Sequence, residues 1–364
     1  MSMLRARAGR LVVTMTVTWA AMTTPAAFAA ERDRGPAGLQ RVLDDAVADG
    51  GGPGIVAELR VGRARPWFGT AGVADTATGQ KRRPGEHFRI GSLTKAFVGT
   101  VVLQLAAEGK LALNDTVAKW LPGVVEEHLR ADGTKISVRR LLNHTSGLPD
   151  AILGQETPLP EEPGKRFIYS KINYNLAGMI VERATGATLS AEIERRVARP
   201  LGLKGTYLPT AERTIRDPHP RHYSKLGKTG PDAQIHDVTE MDVSWAWAAG
   251  GMISTTADLQ RFLRALLGGR LLPPAQRKEM FTTVATEGSG WVPNTRYGLG
   301  VYAQKLPCGV TVWGGGGYIQ GSMSYAMGDR KGTHTLVGNL NGDWNDFVQT
   351  FTALFGTRFC PATS

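Results

Sequence analysis

The sequence predicts an α/β protein: one antiparallel sheet built from both ends of the mature chain, flanked by helices, with a mostly helical insertion between its two parts. Three observations carry that expectation. Short apolar or alternating runs bounded by Gly-rich turns cluster at residues 54–73 and again at 297–339. Helical spacing of apolar residues dominates the stretch between them. No Pro/Ser/Gly linker, low-complexity stretch or fixed-period repeat divides the 364 residues. The expected division is therefore a leader over 1–29 and one domain over 30–364, its α/β part formed by 30–90 and 297–360.

The leader expectation rests on Arg5, Arg7 and Arg10, an apolar run from Leu11 to Met22, and the small-residue site Ala27-Phe28-Ala29. That run is too short to span a bilayer, and no later stretch reaches the roughly 20 apolar residues required. An exported chain starting near Ala30, with no transmembrane or lipid anchor, is the consequence. Formal charge is +11, and removing the three leader arginines leaves +8. No aromatic-basic module accompanies that charge, so a solvated basic surface among anionic envelope polymers is expected rather than a nucleic-acid partner. Cys308 and Cys360 are the only cysteines. Export favours a bridge between them over two free thiols, and neither has metal-ligand spacing. The bridge would tie the C-terminal helix to the sheet edge.

Taken in order, residues 36–49 carry apolar positions at helical spacing, and Gly54–Val61 and Trp67–Val73 read as a strand pair. Phe88-Arg89-Ile90 leads into a helix that is apolar on nearly every side from Thr94 onward and stops at Gly109, the pattern of a helix buried in protein. Thr116–Leu121 and Val138–Asn143 read as short helices, followed by the polar turn Asn143–Asp150 and the Pro-rich loop Ala151–Gly164. Tyr174–Thr185 and Leu189–Ala198 are helical, and Thr255–Asp258 is a capping box opening Leu259–Leu267. Tyr297–Ala303, Val310–Trp313, Ser322–Met327 and Thr335–Asn339 read as strands, and Asp346–Phe355 as a closing helix.

The chemistry is concentrated at the head of the buried helix. Ser92 and Lys95 are three apart, hence on one face, where hydroxyl and amine can touch. A lysine there suffers desolvation and faces the positive helix end, so its neutral amine becomes available as a base. That is the arrangement of a nucleophile beside its activator. The alternative is a helix-capping serine beside a lysine that reaches water. Ser-x-x-Lys occurs once in this chain and has the form found in β-lactamases and penicillin-binding proteins. No Gly-x-Ser-x-Gly and no His-Glu-x-x-His occurs, so neither an α/β-hydrolase nor a zinc peptidase is expected, and no metal or cofactor is implied.

Further motifs extend the likeness. Arg89-Ile-Gly-Ser-Leu-Thr-Lys95, Gly109-Lys-Leu-Ala-Leu-Asn-Asp115, Leu141-Leu-Asn-His-Thr-Ser-Gly-Leu148, Tyr169-Ser170 before an Asn-Tyr-x-Leu-Ala-Gly helix, and Ser244-Trp245-Ala246 with Ala249-Gly250 occur in order. Together they resemble the superfamily of class C β-lactamases and D-alanyl-D-alanine carboxypeptidases. Tyr297-Gly-Leu-Gly300 and the two cysteines are similar to its soluble secreted carboxypeptidases. The resemblance implies a Ser-Lys-Tyr acyl-enzyme hydrolase with Ser92, Lys95 and Tyr169 as the catalytic set. It also implies an oxyanion hole made by the backbone N–H groups of Ser92 and Tyr318. A small-molecule or peptide substrate follows, such as a peptidoglycan stem peptide or a β-lactam, handled by a monomer.

Four departures qualify the substrate. Lys171 stands where the family's second motif has Asn. The third motif reads Gly315-Gly316-Gly317, followed by Tyr318 instead of a hydroxyl residue of Ser/Thr type. Tyr302 occupies the place of an Arg. Those hydroxyls and that Arg hold a substrate carboxylate in the family, and hydrogen bonds to a charged group are worth about 1.5–3 kcal/mol each. Carboxylate recognition is therefore expected to be altered. Family VIII esterases and related acyltransferases show similar third motifs. Trp245, Trp247, Tyr302 and Tyr318 are candidates for an aromatic wall, and the three glycines would admit a bulkier group. The readings left open are a carboxypeptidase, an esterase, amidase or transacylase on a neutral leaving group, and a non-catalytic peptide or penicillin binder. Lys171 stands as a substitute positive charge, a repulsive neighbour of Lys95, or a solvent-facing side chain.

Overall fold

The computed structural model describes residues 35–48, 51–150, 158–228, 230 and 232–361, so the expected leader and its cleavage site lie outside the described residues. Five longer helices organise the chain: α1 (Pro36–Val47), α2 (Thr94–Ala107), α3 (Lys171–Thr185), α4 (Thr256–Leu267) and α5 (Phe347–Phe359). The main sheet combines β1 (Gly54–Val61) and β2 (Trp67–Gly72) with six later strands. Between the two sets lie two-residue strands β3 (Phe88–Arg89), β4 (Tyr223–Ser224), β5 (His236–Asp237) and β6 (Ile253–Ser254), which form two small ribbons. The later strands are β7 (Val284–Ala285), β8 (Thr295–Tyr297), β9 (Tyr302–Lys305), β10 (Thr311–Ile319), β11 (Ser322–Gly328) and β12 (His334–Leu340). Sheet order is β2-β1-β12-β11-β10-β9-β8-β7 with antiparallel pairing throughout.

β1 shows why one sheet takes strands from both ends. Its residues alternate between two buried faces, as strand geometry requires. Ile55, Ala57 and Leu59 join a core with Leu39 and Leu43 of α1 and Phe351, Leu354 and Phe355 of α5. On the other face Glu58 accepts from Thr256 Oγ1 at 2.8 Å, and Gln260 Nε2 of α4 donates to Glu58 O at 2.5 Å. A strand buried on both sides needs a partner on each edge, and β2 and β12 supply them.

The larger core lies between the sheet and the helical insertion. α2 runs through it with Thr94–Leu103 and Leu105 buried. Its Phe97 stacks on Phe262 of α4 with ring centroids 3.7 Å apart. Gly99 lets the Leu299 carbonyl come against the helix, because a Cβ there would lie 2.6 Å from that oxygen. The head of α2 is thereby pressed toward the edge of β10, where β9 ends. Among the described residues, no helix is long and apolar enough to cross a membrane. Cys308, in the β9–β10 turn, is bonded to Cys360 at the end of α5.

Several elements differ from the sequence expectation. The run expected as one strand over 297–303 is split into β8 and β9 by Gly298–Val301, where Gly300 takes φ +91° against the Lys95 carbonyl. β10 continues past Trp313 through all of the glycines to Ile319. β7 and β8 bring Val284–Ala285 and Thr295–Arg296 into the sheet, ahead of the expected start at 297.

Candidate active site

Gly91–Leu93 form one 3₁₀ turn that runs directly into α2, so Ser92 and Lys95 emerge on the same face one turn apart. Lys95 Nζ lies 3.0 Å from Ser92 Oγ and donates to Ala249 O at 2.5 Å. The amine is only 1% exposed. Burial pulls its pKa from 10.5 to about 7, while Asp150 raises it and Lys171 lowers it by smaller amounts. With the amine neutral, an N–H points at the Ala249 carbonyl and the lone pair is left for the Ser92 hydroxyl.

Tyr169 closes the triangle from another segment. Its hydroxyl donates to Ser92 Oγ at 2.7 Å, and its ring lies 4.9 Å from Lys95 Nζ. Burial pushes the phenol well above its ordinary range, against the pull of the Ser92 hydrogen bond, so Tyr169 holds its proton at neutral pH. The loop carrying it is clamped by His144. The His144 carbonyl accepts Ile168 N–H at 2.8 Å, and its Nδ1 accepts Ser170 N–H at 3.2 Å, one contact on each side of Tyr169. Since the Ser170 amide must donate, Nδ1 is unprotonated and the proton resides on Nε2. That Nε2 is buried without a hydrogen-bond partner among the described residues. Burial and the charge of Lys95 keep the imidazole neutral, and its ring packs 4.4 Å from that of Tyr169.

The backbone opposite Ser92 belongs to β10. Ile319 and Ser322 flank a two-residue turn, so they form a hydrogen-bonded pair and Tyr318, opposite Met323, does not bond to β11. Its N–H faces the other edge, where pairing with β9 has already ended at Gly314 opposite Tyr302. A Cβ on Gly317 would sit 2.0 Å from Ile90 O and 2.7 Å from Ser92 N, and one on Gly91 would sit 2.8 Å from the Tyr318 backbone. The Tyr318 and Ser92 amides thus border one small space, suited to an anionic oxygen.

Beside Ser92 opens a cavity of about 680 Å³. Tyr169, Trp245, Trp291, Tyr302, Tyr325 and Phe347 contribute aromatic surface to it, together with Tyr318 at the rim. Trp291 stacks on Tyr169 at 4.1 Å between centroids. Lys171 is the single charged residue in the described wall. Its ammonium is 2.5 Å from Asp150 Oδ2, and its N–H donates to Oδ1 of the same carboxylate at 2.8 Å.

Ser92, Lys95, Tyr169, Lys171, Trp245, Tyr302, Gly316, Gly317 and Tyr318 therefore converge. Trp247 and Gly315 do not: Trp247 packs over Gly178 beside a separate groove, and Gly315 lies against Leu93. Nor do the glycines open room as expected, since the Tyr325 ring fills the space at Gly316 and the Ile90–Ser92 backbone fills that at Gly317. Asp150, His144, Trp291, Tyr325 and Phe347 were not singled out from sequence. A tryptophan within the Gly/Ser loop at 288–291 was a signal for Trp291; Tyr325 reads as an ordinary strand core residue. Among the described residues, no group of His, Cys, Asp and Glu is placed to hold a metal ion.

The structure is similar to a D-stereospecific amidohydrolase from Streptomyces sp., with TM-score 0.79 and 42% identity over 90% of this chain and 99% of that one. A D-amino acid amidase from Ochrobactrum anthropi SV3 follows with TM-score 0.76 and 28% identity, covering 88% and 97%. Among curated proteins, a putative D-alanyl-D-alanine carboxypeptidase of Escherichia coli is 28% identical over 65% of this chain and 66% of its own length. Esterase EstB of Burkholderia gladioli is 32% identical over 53% and 56%. The chain spans about half the length of Protein flp of Staphylococcus aureus, to which it is 28% identical over 61% of its own length. The Beta-lactamase family model matches residues 39–353. With that span covering the sheet, the helical insertion and the Ser92 turn alike, the chain belongs to the beta-lactamase family of serine hydrolases.

Proposed function

We propose that this chain is an exported acyl-enzyme hydrolase of amides and esters whose acyl part is a D-amino acid with a large apolar or aromatic side chain and whose leaving group is uncharged. The observation that carries this reading is the cavity wall: seven aromatic side chains among mostly apolar neighbours, with its one cation already held by Asp150. A substrate carboxylate would find no free positive partner there, whereas an aryl side chain would bury its surface at about 25 cal/mol per Å². Similarity to the Streptomyces amidohydrolase and the Ochrobactrum amidase supports the D-amino acid class. The Cys308–Cys360 bridge supports export.

In this reading Ser92 Oγ attacks the carbonyl carbon as its proton passes to Lys95 Nζ. The negative charge on the former carbonyl oxygen rests against the Ser92 and Tyr318 amides. Tyr169 gives its proton to the departing nitrogen or oxygen and recovers one from Lys95, so the net transfer is from serine to leaving group. Water then enters where the leaving group stood and returns the protons in reverse.

A carboxypeptidase is the second reading, favoured by the Escherichia coli relative. Turnover of D- and L-phenylalanine amide, a p-nitrophenyl ester and a peptide ending in D-Ala-D-Ala, with mass spectrometry of the trapped enzyme, separates the two. We expect cleavage of the D-amide and the ester and an adduct on Ser92, with none after Ser92→Ala. Cleavage of the D-Ala-D-Ala peptide without the amide would replace the first reading by the second. Fluorescent penicillin labelling with no turnover of any substrate would leave a binder.

A further inference from the structure

At the end of the sheet remote from the cavity, three segments bring basic side chains together. The β1–β2 turn carries Arg63 and Arg65 after Arg60 on β1, and Gly62 N–H donates to Thr333 O at 2.8 Å, joining this turn to the β11–β12 turn. The β11–β12 turn carries Lys331. From α4, Arg264 reaches the same Thr333 carbonyl at 3.5 Å, and Arg270 follows one turn past the helix end. Arg63, Arg65, Arg270 and Lys331 are exposed, and Arg60 and Arg264 are half-buried.

Elsewhere the molecule pairs many of its cations, yet none of these six forms an ion pair among the described residues. Asp329, the acidic residue of the β11–β12 turn, has its carboxylate occupied by the amides of Lys331, Thr333 and His334. Desolvation and the neighbouring Arg60 and Arg270 charges pull the Arg264 guanidinium below its ordinary value. Asp329 and Glu58 offset part of the charge of Arg264 and Arg60, and the positive remainder of the six cations concentrates anions at the surface.

We infer that this pole is a binding surface for a flexible, base-free polymer of phosphates, which would hold the enzyme on an anionic matrix while the cavity faces outward. Five of the six are arginines, whose planar forks match phosphate oxygens in pairs. They lie on three separate segments, so a small anion meets only part of the cluster, whereas a chain of phosphates reaches all of it. Among the described residues no exposed ring lies among the six to stack on bases, Trp67 beyond Arg65 being packed against the α1 core, which disfavours single-stranded nucleic acid. Separation from the active site follows from the register. Along β11 the cavity-lining Tyr325, opposite Gly338, and Gly328 at the basic end, opposite Thr335, lie three strand steps or about 10 Å apart.

The test uses the full mature chain and long-chain inorganic polyphosphate as probe. A pole variant carries Arg63→Glu, Arg65→Glu, Arg270→Glu and Lys331→Glu. A control carries the same charge change at exposed residues elsewhere: Lys81→Glu, Arg83→Glu, Lys204→Glu and Lys305→Glu. We expect the native chain and the control to bind polyphosphate with affinity that falls steeply as salt rises, and the pole variant to bind at least ~10-fold more weakly at low salt. Equal loss in both variants would reduce the effect to net charge and overturn the inference, as would no binding by the native chain. Tighter binding of single-stranded DNA of matched charge would assign the surface to nucleic acid instead. The milder pair Arg63→Gln with Arg65→Gln, on a turn with open space around Gly62, repeats the comparison should the fourfold variant fold poorly. Equal thermal melting of the proteins compared shows that binding, not folding, has changed.

Discussion

At the scale of single residues, Lys95 sets the pH behaviour of the proposed reaction. Its amine loses its proton at about 7 in the folded chain, against an ordinary value of 10.5. The competent neutral form therefore grows through that pH. We expect log kcat/KM for a neutral substrate to climb about one unit per pH unit below 7 and level off above it, read from a pH–rate profile. The same displacement makes the unfolded chain the better proton binder between about 7 and 10.5. Folded stability contributed by this group thus rises with pH across that window. Denaturant midpoints of the native chain minus those of Lys95→Met, followed against pH, should show the rise; a flat difference would mean the amine keeps its proton. His144 is a positioning residue in this scheme, because it grips the backbone on both sides of Tyr169. It also sits at φ +59°, which Asn tolerates better than most residues. Asn at this position keeps an acceptor near the Ser170 amide, and Ala does not. We expect His144→Ala to lower kcat by ~10-fold or more with little change in KM and His144→Asn to restore most of it, a contrast that general destabilisation would not produce.

At the scale of elements, β10 shows what composition conceals. Its glycines are poor strand formers, and the sequence reading ends that strand at Trp313. Tertiary context carries it on to Ile319, since a strand without side chains is what allows the Ile90–Ser92 turn to lie against its edge. Gly317→Ala should accordingly displace the nucleophile's turn, lowering stability by about 1–3 kcal/mol, the range of overpacking, and nearly abolishing acylation. Thermal melting and mass-spectrometric trapping check the two parts. The buried α2, the capped α4, both strand clusters and the closing α5 were legible because periodicity and caps are local properties. Ser92 and Lys95 were legible for the same reason. Trp247 was expected in the wall with Trp245, yet it packs over Gly178 beside a separate groove, a placement no spacing rule encodes. Asp150 escaped notice because its partner Lys171 lies 21 residues on, across the Pro-rich loop.

At the scale of the whole molecule, the sheet takes strands from both ends of the chain and the insertion hangs between them, so the site forms only when distant segments meet. The Cys308–Cys360 bridge fastens the later of these segments, spanning 52 residues that include β10, β11, β12 and α5. In the chain-entropy model a loop of that length is worth about 4 kcal/mol. Replacing both cysteines by serine should lower stability by up to that amount, measured by denaturant unfolding. Activity of the surviving folded fraction should be unchanged, because neither sulfur approaches the cavity.

The proton-handling groups and the aromatic wall hang from different parts of the chain. Ser92, Lys95 and the two backbone donors are fixed by main-chain packing, whereas Trp245, Trp291, Tyr302, Tyr325 and Phe347 come from scattered loops, strands and a helix. Evolution can therefore redraw the menu of accepted molecules by exchanging wall residues while the bond-breaking apparatus stays as it is. A randomised library confined to Trp245, Tyr302, Tyr325 and Phe347, sparing Trp291 because it stacks on Tyr169, would sample new selectivities at little risk to turnover itself.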